Sequence, residues 1–480
     1  MGSWTRYQFQ PARPDEGTLA NKRRLVVVSN RVPPLTANSD LTRDRELPVG
    51  GLVSAVRAAL EQRDGLWFGW SGTTEDRIAS APPAITDLGP IRLATINFTR
   101  GEVNLFYNSF ANRTLWPLLH GFPAKTSIRR DAFEAYKRVN QRYARALVSM
   151  LEDGDIVWIH DYHLFLLGNA LRDLGWKGKL GFFLHTPFPP AETFSILPWA
   201  HQFLEGMFAY DLVGLQTKRY ARNLSETLAR EVGGGIVGDQ YMVNQLSTRI
   251  KAYPIGTDPE GFAEMSMRAS KTSAGQLLER IPNDIVLGVD RLDYTKGITY
   301  RLRAFEHLLE QFPSLRGKVS MIQISAPSRS RVPEYLQERE QVDRLVGSIN
   351  GRFSETGWAP IHYFYRSFAQ EELVAFYRTA RVCLVTPLRD GMNLVAKEFV
   401  ASQGDDPGIL VLSKFCGAVE GMSEAVIVNP YDIEGTANAI NRALRMRKSE
   451  RRQRWESLIE GVRRDTAQTW SDSFLSDLAS

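Results

Sequence analysis

The chain has 480 residues, 43% of them hydrophobic and 24% charged, with a formal net charge of +5. That composition is ordinary for a globular protein of two large or three smaller domains, and it excludes collagen-like, low-complexity and wholly disordered chains. An excess of 59 Lys and Arg over 54 Asp and Glu is too dilute for a nucleic-acid binder, which needs clustered basic patches, and no apolar run approaches the ~18 residues of a membrane span.

Residues 1–22 are polar and without periodicity, and they lack the apolar core of a secretory signal, so they are expected to form a mobile tail. Short apolar runs and helical patterns then alternate. Leu25–Val28, Asp155–Ile159, Leu180–Leu184 and Asp211–Leu215 are nearly continuous in apolar residues and end in polar or Gly/Pro turns. Continuous rather than alternating apolarity marks strands buried on both faces, hence parallel strands covered by helices. Helical patterns such as Asp131–Leu151 and Thr217–Arg230 lie between them. After Tyr253-Pro254-Ile255-Gly256 the mixed stretch Asp258–Asp284 suits a linker. The pattern then restarts with Ile285–Val289, Val319–Ser325, Val382–Thr386, Ile409–Leu412 and Ala425–Val428, with helical stretches at Arg301–Gln311 and Val332–Ile349. The expectation is two doubly wound, Rossmann-like α/β domains, 23–256 and 257–455, facing a cleft. Residues 456–480 are read as a helix able to pack back on the first domain. The two cysteines, Cys383 and Cys416, have no CxxC partner. A disulfide framework is therefore not expected, and a cytoplasmic location is.

In open parallel sheets ligands bind beyond the C-terminal strand ends, so the residues after each strand deserve reading first. Gly50-Gly51 opens a helical pattern and suits either an anion site or an ordinary turn. The one GxGxxG match, Gly233–Gly238, follows a helix instead of a strand and reads as a flexible loop. Asp153-Gly154-Asp155 matches a DxD metal signature but precedes its strand, at the wrong end of the sheet, and His160-Asp161-Tyr162-His163 is thin for zinc, so no metal is expected. Asp161 is better placed to accept hydrogen bonds from sugar hydroxyls. His185, in a proline-fixed turn, is expected to point into the cleft or to serve structure. Asp290–Gly297 holds Arg291 and Lys296, a pair suited to a diphosphate, or else a solvated loop with internal ion pairs. Ser325–Arg331 suits a second anion. In Thr386–Glu398 a turn at Asp390-Gly391 precedes a helix starting near Asn393, with Glu398 one turn in and able to reach a ribose diol.

The runs VVVSNRVPP, GLWFGWSG, FYNSFANRTLWP, IHDYHL, GFFLHTPFP, GVDRLDYTKG and TPLRDGMNLVAKEFV, spread over residues 25–430, together resemble the trehalose-6-phosphate synthase family. That resemblance implies the two-domain GT-B fold and a retaining glucosyl transfer from a nucleotide-glucose, usually UDP-glucose, to glucose 6-phosphate. It implies no cofactor. It places Arg31, Tyr107, Trp116, Asp161 and Arg329 around glucose 6-phosphate, with Arg31, Tyr107 and Arg329 on the phosphate, Trp116 against the sugar and Asp161 on its hydroxyls. It places Gly50, Gly51, Arg291, Lys296, Phe368, Leu394, Val395, Ala396, Lys397 and Glu398 on the donor, with His185 and Asp390 gripping the transferred glucose. Arg291 and Lys296 would stabilise the departing diphosphate without a metal. With no evident carboxylate nucleophile, the expected route is front-face, the donor phosphate oxygen taking the acceptor's proton.

The stretch 34–50, with Asp40, Arg43, Asp44, Arg45 and Glu46, looks longer and more charged than in compact bacterial members. The family also suggests a dimer or tetramer. Two other readings share the fold: a pseudo-glycosyltransferase joining cyclitols, and a non-catalytic sugar-phosphate sensor.

Overall fold

The computed structural model describes residues 23–33, 51–77, 82–278, 281, 283–329 and 332–480. The expected tail 1–22, the charged loop and Gly50 lie outside the described residues. Among those described, two sheets organise the chain. The first contains β1 (Leu25–Arg31), β2 (Leu66–Glu75), β3 (Ala84–Leu88), β4 (Ile91–Thr99), β5 (Ile156–His160), β6 (Lys179–Leu184), β7 (Leu212–Leu215), β8 (Gly235–Val237), β9 (Gln240–Val243) and β10 (Leu246–Ala252). Their order is β3-β4-β2-β1-β5-β6-β7-β10-β9-β8. The seven strands from β4 to β10 in that order run parallel, and antiparallel partners close both edges. The second sheet contains β11 (Asp284–Arg291), β12 (Val319–Ala326), β13 (Ile361–Phe364), β14 (Val382–Val385), β15 (Ile409–Ser413) and β16 (Val426–Val428). It is parallel throughout, in the order β13-β12-β11-β14-β15-β16.

The apolar runs form these strands for the reason read from sequence. Leu25 to Val28 are wholly buried, as are Val157, Trp158 and Ile159, because helices cover both faces. Strands β2 and β4 escaped the reading. β2 carries Gly69, Ser71 and Gly72 within it, and β4 alternates buried and partly exposed positions near the sheet edge. Two expectations are corrected. Gly233–Gly238 is not simply a loop, since from Gly235 it pairs as β8 in an outer hairpin. Asp258–Asp284 is not a bare linker, because Asp258 caps a helix at Pro259–Arg268 and a second helix spans Ser273–Leu278.

The chain leaves the first sheet through Tyr253–Thr257 and returns at Asp465–Thr466, where Ala467 N–H donates to Thr257 O at 3.0 Å. The C-terminal stretch is two helices, Lys448–Arg464 and Ala467–Ala479, because Thr466 restarts the helix by accepting from Thr469 N–H at 3.1 Å. The first packs on the second sheet's domain, with Trp455 Nε1 donating to Val400 O at 2.9 Å. The second packs back on the first sheet. Phe474 lies flat on Trp158, and a Cβ at Gly181 would come within 2.8 Å of its ring, so the glycine is required by close approach.

Candidate active site

The C-terminal ends of both sheets face each other, and the segments after β5, β6, β11, β12 and β14 meet there. On the first sheet's side, Tyr107 sits in a wide π-helix, Val103–Leu115, that runs directly into Trp116. Such widened turns are rare and concentrate at functional sites. Tyr107 stacks on His163 with ring centroids 5.8 Å apart, and Trp70 lies 6.0 Å away. The Arg31 guanidinium lies 5.7 Å from the Trp70 ring. Arg31 and Tyr107 therefore share one aromatic wall.

Asp161 follows β5 with φ 74° and ψ 166°, a backbone region that a non-glycine residue occupies at a cost on the order of 1–3 kcal/mol. Its carboxylate accepts from His185 N–H at 3.2 Å. Burial pushes its pKa up to about 6, against the pull of the Tyr162 and His185 N–H groups, Arg329 and Arg291. Arg329 (φ 46°) and Asn393 (φ 78°) are strained in the same sense, so three of the five non-glycine residues with positive φ among the described residues are gathered at this cleft.

Arg329, from the second domain, reaches across to the first. Its Cζ lies 3.9 Å from the Trp116 ring centroid, and Arg291 Cζ lies 5.7 Å from the same ring. Its Nη1 donates to Asp293 at 3.1 Å and to the Tyr335 hydroxyl, and its Nη2 to the Tyr162 hydroxyl at 3.0 Å. Burial pushes Asp293 up, but Arg329, Arg291 and the Thr295 N–H outweigh it and hold the carboxylate below its ordinary value. Arg329 is thus fixed in direction by protein partners from both domains.

On the second sheet's side, Lys296 Nζ lies 2.5 Å from Asp390 Oδ2, which also accepts from Asn393 Nδ2 at 3.0 Å. Burial works against both charges, and each holds the other ionised: Lys296 is raised and Asp390 lowered. The ion pairs within the 290–297 loop that were the alternative expectation do not form among the described residues; three of its charges pair with residues outside it. Asp290 is bonded to the buried Arg301 at 2.6 Å beneath the loop, Asp293 to Arg329, and Lys296 to Asp390. Arg291 stays exposed at the strand end. Gly391 is demanded by contact with the other domain, since a Cβ there would stand 1.9 Å from His185 O.

Gly51 begins the helix Gly51–Glu61, and Asn393 precedes the helix Leu394–Ala401. Leu394 and Val395 are partly exposed near its start, whereas Ala396 is core. Two members of the expected donor group are occupied otherwise. The Lys397 ammonium donates to Ile255 O at 2.6 Å, and burial lowers its pKa to about 8. The Phe368 ring is buried against Phe364 and Phe376 beneath Arg366. Glu398 accepts from Tyr377 OH at 3.0 Å, and burial raises its pKa to about 7. His185 is half-buried with both ring nitrogens engaged, to His160 Nδ1 at 3.0 Å and Gln216 Nε2 at 3.2 Å. Sequence reasoning passed over Tyr162, Asp293, Tyr335 and Gln216. Gln216 stands directly after β7 and was findable by the strand-end rule, whereas Tyr335, inside a helix, carried no signal.

Two facing parallel α/β sheets with a polar site between their strand ends make a GT-B glycosyltransferase. The glycosyltransferase family 20 model matches residues 23–480. A trehalose-6-phosphate synthase of Sinorhizobium fredii is 40% identical over 462 residues, 95% of this chain and 98% of that one. The α,α-trehalose-phosphate synthase (UDP-forming) of Burkholderia xenovorans in complex with glucose-6-phosphate superposes with a TM-score of 0.89 at 39% identity, covering 95% of this chain and 100% of that one. A trehalose-6-phosphate structure from E. coli bound with UDP-2-fluoro glucose gives 0.88 at 38% identity, covering 95% and 98%. The chain belongs to glycosyltransferase family 20.

Proposed function

We propose that this chain transfers glucose from UDP-glucose to glucose 6-phosphate, releasing UDP and forming α,α-trehalose 6-phosphate with retention of configuration. The observation that carries the reading is Arg329. It is buried, held by Asp293, Tyr335 and Tyr162, and laid over Trp116 opposite Asp161. An anchored cation over an aromatic wall, with a carboxylate nearby, fits a phosphorylated sugar: guanidinium for phosphate, ring for the sugar face, Asp161 for hydroxyls. Arg31 and Tyr107 complete the phosphate side.

Across the cleft Arg291, Lys296 and the helix start at Leu394 face the leaving diphosphate, and Glu398 the ribose. Charge grows on that diphosphate as the glycosidic bond breaks, and positioned cations lower the barrier most when they need not reorganise. Lys296 meets that condition, because Asp390 already fixes it. Asp390, tied to both Lys296 and Asn393, is a group that positions glucose and is poorly placed as a free nucleophile. The route that follows is front-face, with the departing phosphate oxygen taking the proton of the attacking hydroxyl. A trapped glucosyl-enzyme would overturn it. No step calls for a metal or cofactor.

The test is nucleoside diphosphate release with glucose 6-phosphate and UDP-, GDP- or ADP-glucose, with the sugar product identified by NMR. Release with UDP-glucose and an α,α-1,1-linked product is expected. Binding of both ligands without release would favour the sensor, and turnover only with cyclitol acceptors the pseudo-glycosyltransferase. A cytoplasmic dimer or tetramer goes with this reading. Two buried, unpaired cysteines suit a reducing compartment. Ile236, Val237 and Leu246, exposed on the outer hairpin, offer apolar contact for assembly. Sedimentation measures the assembly.

A further inference from the structure

We infer that Gln216 is a positioning residue that sets the tautomer of His185 and ties it to the interdomain crossing, an inference that rests on the glucosyl-transfer reading. Gln216 is 1% exposed and follows β7. Its Oε1 accepts from Ile255 N–H at 3.0 Å. A backbone N–H can only donate, so this bond fixes which end of the amide is oxygen. The Nε2 end, 3.2 Å from His185 Nδ1, is then a donor, and Nδ1 must offer its lone pair. The ring is neutral, because burial lowers its pKa to about 3. Its proton therefore sits on Nε2, facing His160 Nδ1 at 3.0 Å.

The consequence for the reaction is polarity. A sugar hydroxyl arriving at His185 meets an N–H donor that can exchange His160 for the ligand without any proton changing its nitrogen. The same relay reaches the second domain. Ile255 gives its N–H to Gln216 and receives Lys397 Nζ on its carbonyl at 2.6 Å, and Lys397 belongs to the helix that starts at Leu394 on the donor side. The crossing residue thus links the ring on one bank to the helix on the other.

The test uses the full chain labelled with 15N-histidine, with the His185 signals assigned by their loss in His185→Asn. The expected spectrum shows Nδ1 unprotonated and Nε2 protonated in the ligand-free protein. Gln216→Glu keeps the shape but replaces the amide donor with an acceptor, so the His185 proton should move onto Nδ1. kcat/KM for UDP-glucose should then fall about tenfold or more while KM for glucose 6-phosphate stays within about twofold. A wild-type ring protonated on Nδ1 overturns the inference. So does a Gln216→Glu variant that keeps both the wild-type tautomer and the wild-type kinetics. The wild-type spectrum needs no turnover, so an inactive wild-type protein would refute the transfer reading while leaving the tautomer result to stand or fall separately.

Discussion

The first-domain bank of the cleft is aromatic where the second-domain bank is ionic. Trp70, Tyr107, Trp116, Tyr162 and His163 line one side by ring contact. Lys296–Asp390, Arg301–Asp290 and Arg329–Asp293 dominate the other. The difference follows what each bank is proposed to hold. A sugar face is recognised by shape and hydroxyl contacts, a diphosphate by charge. It also shows how charge is stored in a closed interior: Lys296, Arg301 and Arg329 are each kept by a carboxylate, whereas Arg291 stands at the exposed strand end. Removing a member of a buried pair should therefore cost both rate and stability, and removing Arg291 should cost rate only.

That contrast can be broken most sharply at the donor loop. Lys296→Met is expected to lower kcat by roughly 10²–10³ and, by leaving Asp390 buried without its partner, to destabilise the fold by about 3–5 kcal/mol. Arg291→Ala is expected to lower kcat by roughly 10² with little change in Tm. Parallel losses of rate and Tm in Arg291→Ala would erase the distinction, and steady-state kinetics beside calorimetry decide it. Next, Arg329→Ala should raise KM for glucose 6-phosphate roughly 10- to 100-fold, the worth of a charge-assisted bond, and move KM for UDP-glucose much less. The reverse order would exchange the two banks.

A smaller effect belongs to Glu398, whose pKa burial raises from 4.5 to about 7. Between those values the native protein holds a proton that the unfolded chain has released, so this group's contribution makes stability fall as pH rises through that window. Glu398→Gln should flatten that slope in denaturation curves. If the ionised form accepts from the ribose diol, KM for UDP-glucose should fall severalfold between about pH 6 and pH 8 and lose that dependence in Glu398→Gln. The smallest effect is expected at Arg113, whose pair with Glu334 at 3.0 Å bridges the two banks while 34% exposed. Arg113→Ala should change stability by no more than about 1 kcal/mol and leave kcat within about twofold.

Much of this cleft was legible because both sheets are parallel. Strands buried on two faces read as unbroken apolar runs, and the residue after each run is where a ligand meets the sheet. Asp161, His185, Arg291 and Asp390 were all found that way. The partners of those residues were not legible. Lys296 and Asp390 are 94 positions apart, and Arg329 and Tyr162 are 167 apart. The pairing of β11 with β14 brings the first two together, and the meeting of the two domains the second two. The sequence reading aimed the His185 ring into the cleft, yet the adjacent strand ends supply both its nitrogens with protein partners, and of these Gln216 was open to the strand-end rule although it carries no charge. The broad turns under Tyr107 have no pattern distinct from an ordinary helix, and nothing around Lys397 in the sequence announces its bond to Ile255 O.

The helix Ala467–Ala479 returns to the first domain beside the outgoing segment, with Ala467 bonded to Thr257. A door on a single pin can swing and also droop. Hung on two pins side by side, it keeps one easy axis, and shear or twist out of that plane must tear Phe474 from its seat on Trp158. Any movement of one domain on the other would then follow one track, and the two halves of a strained, pre-charged site would come back to the same register.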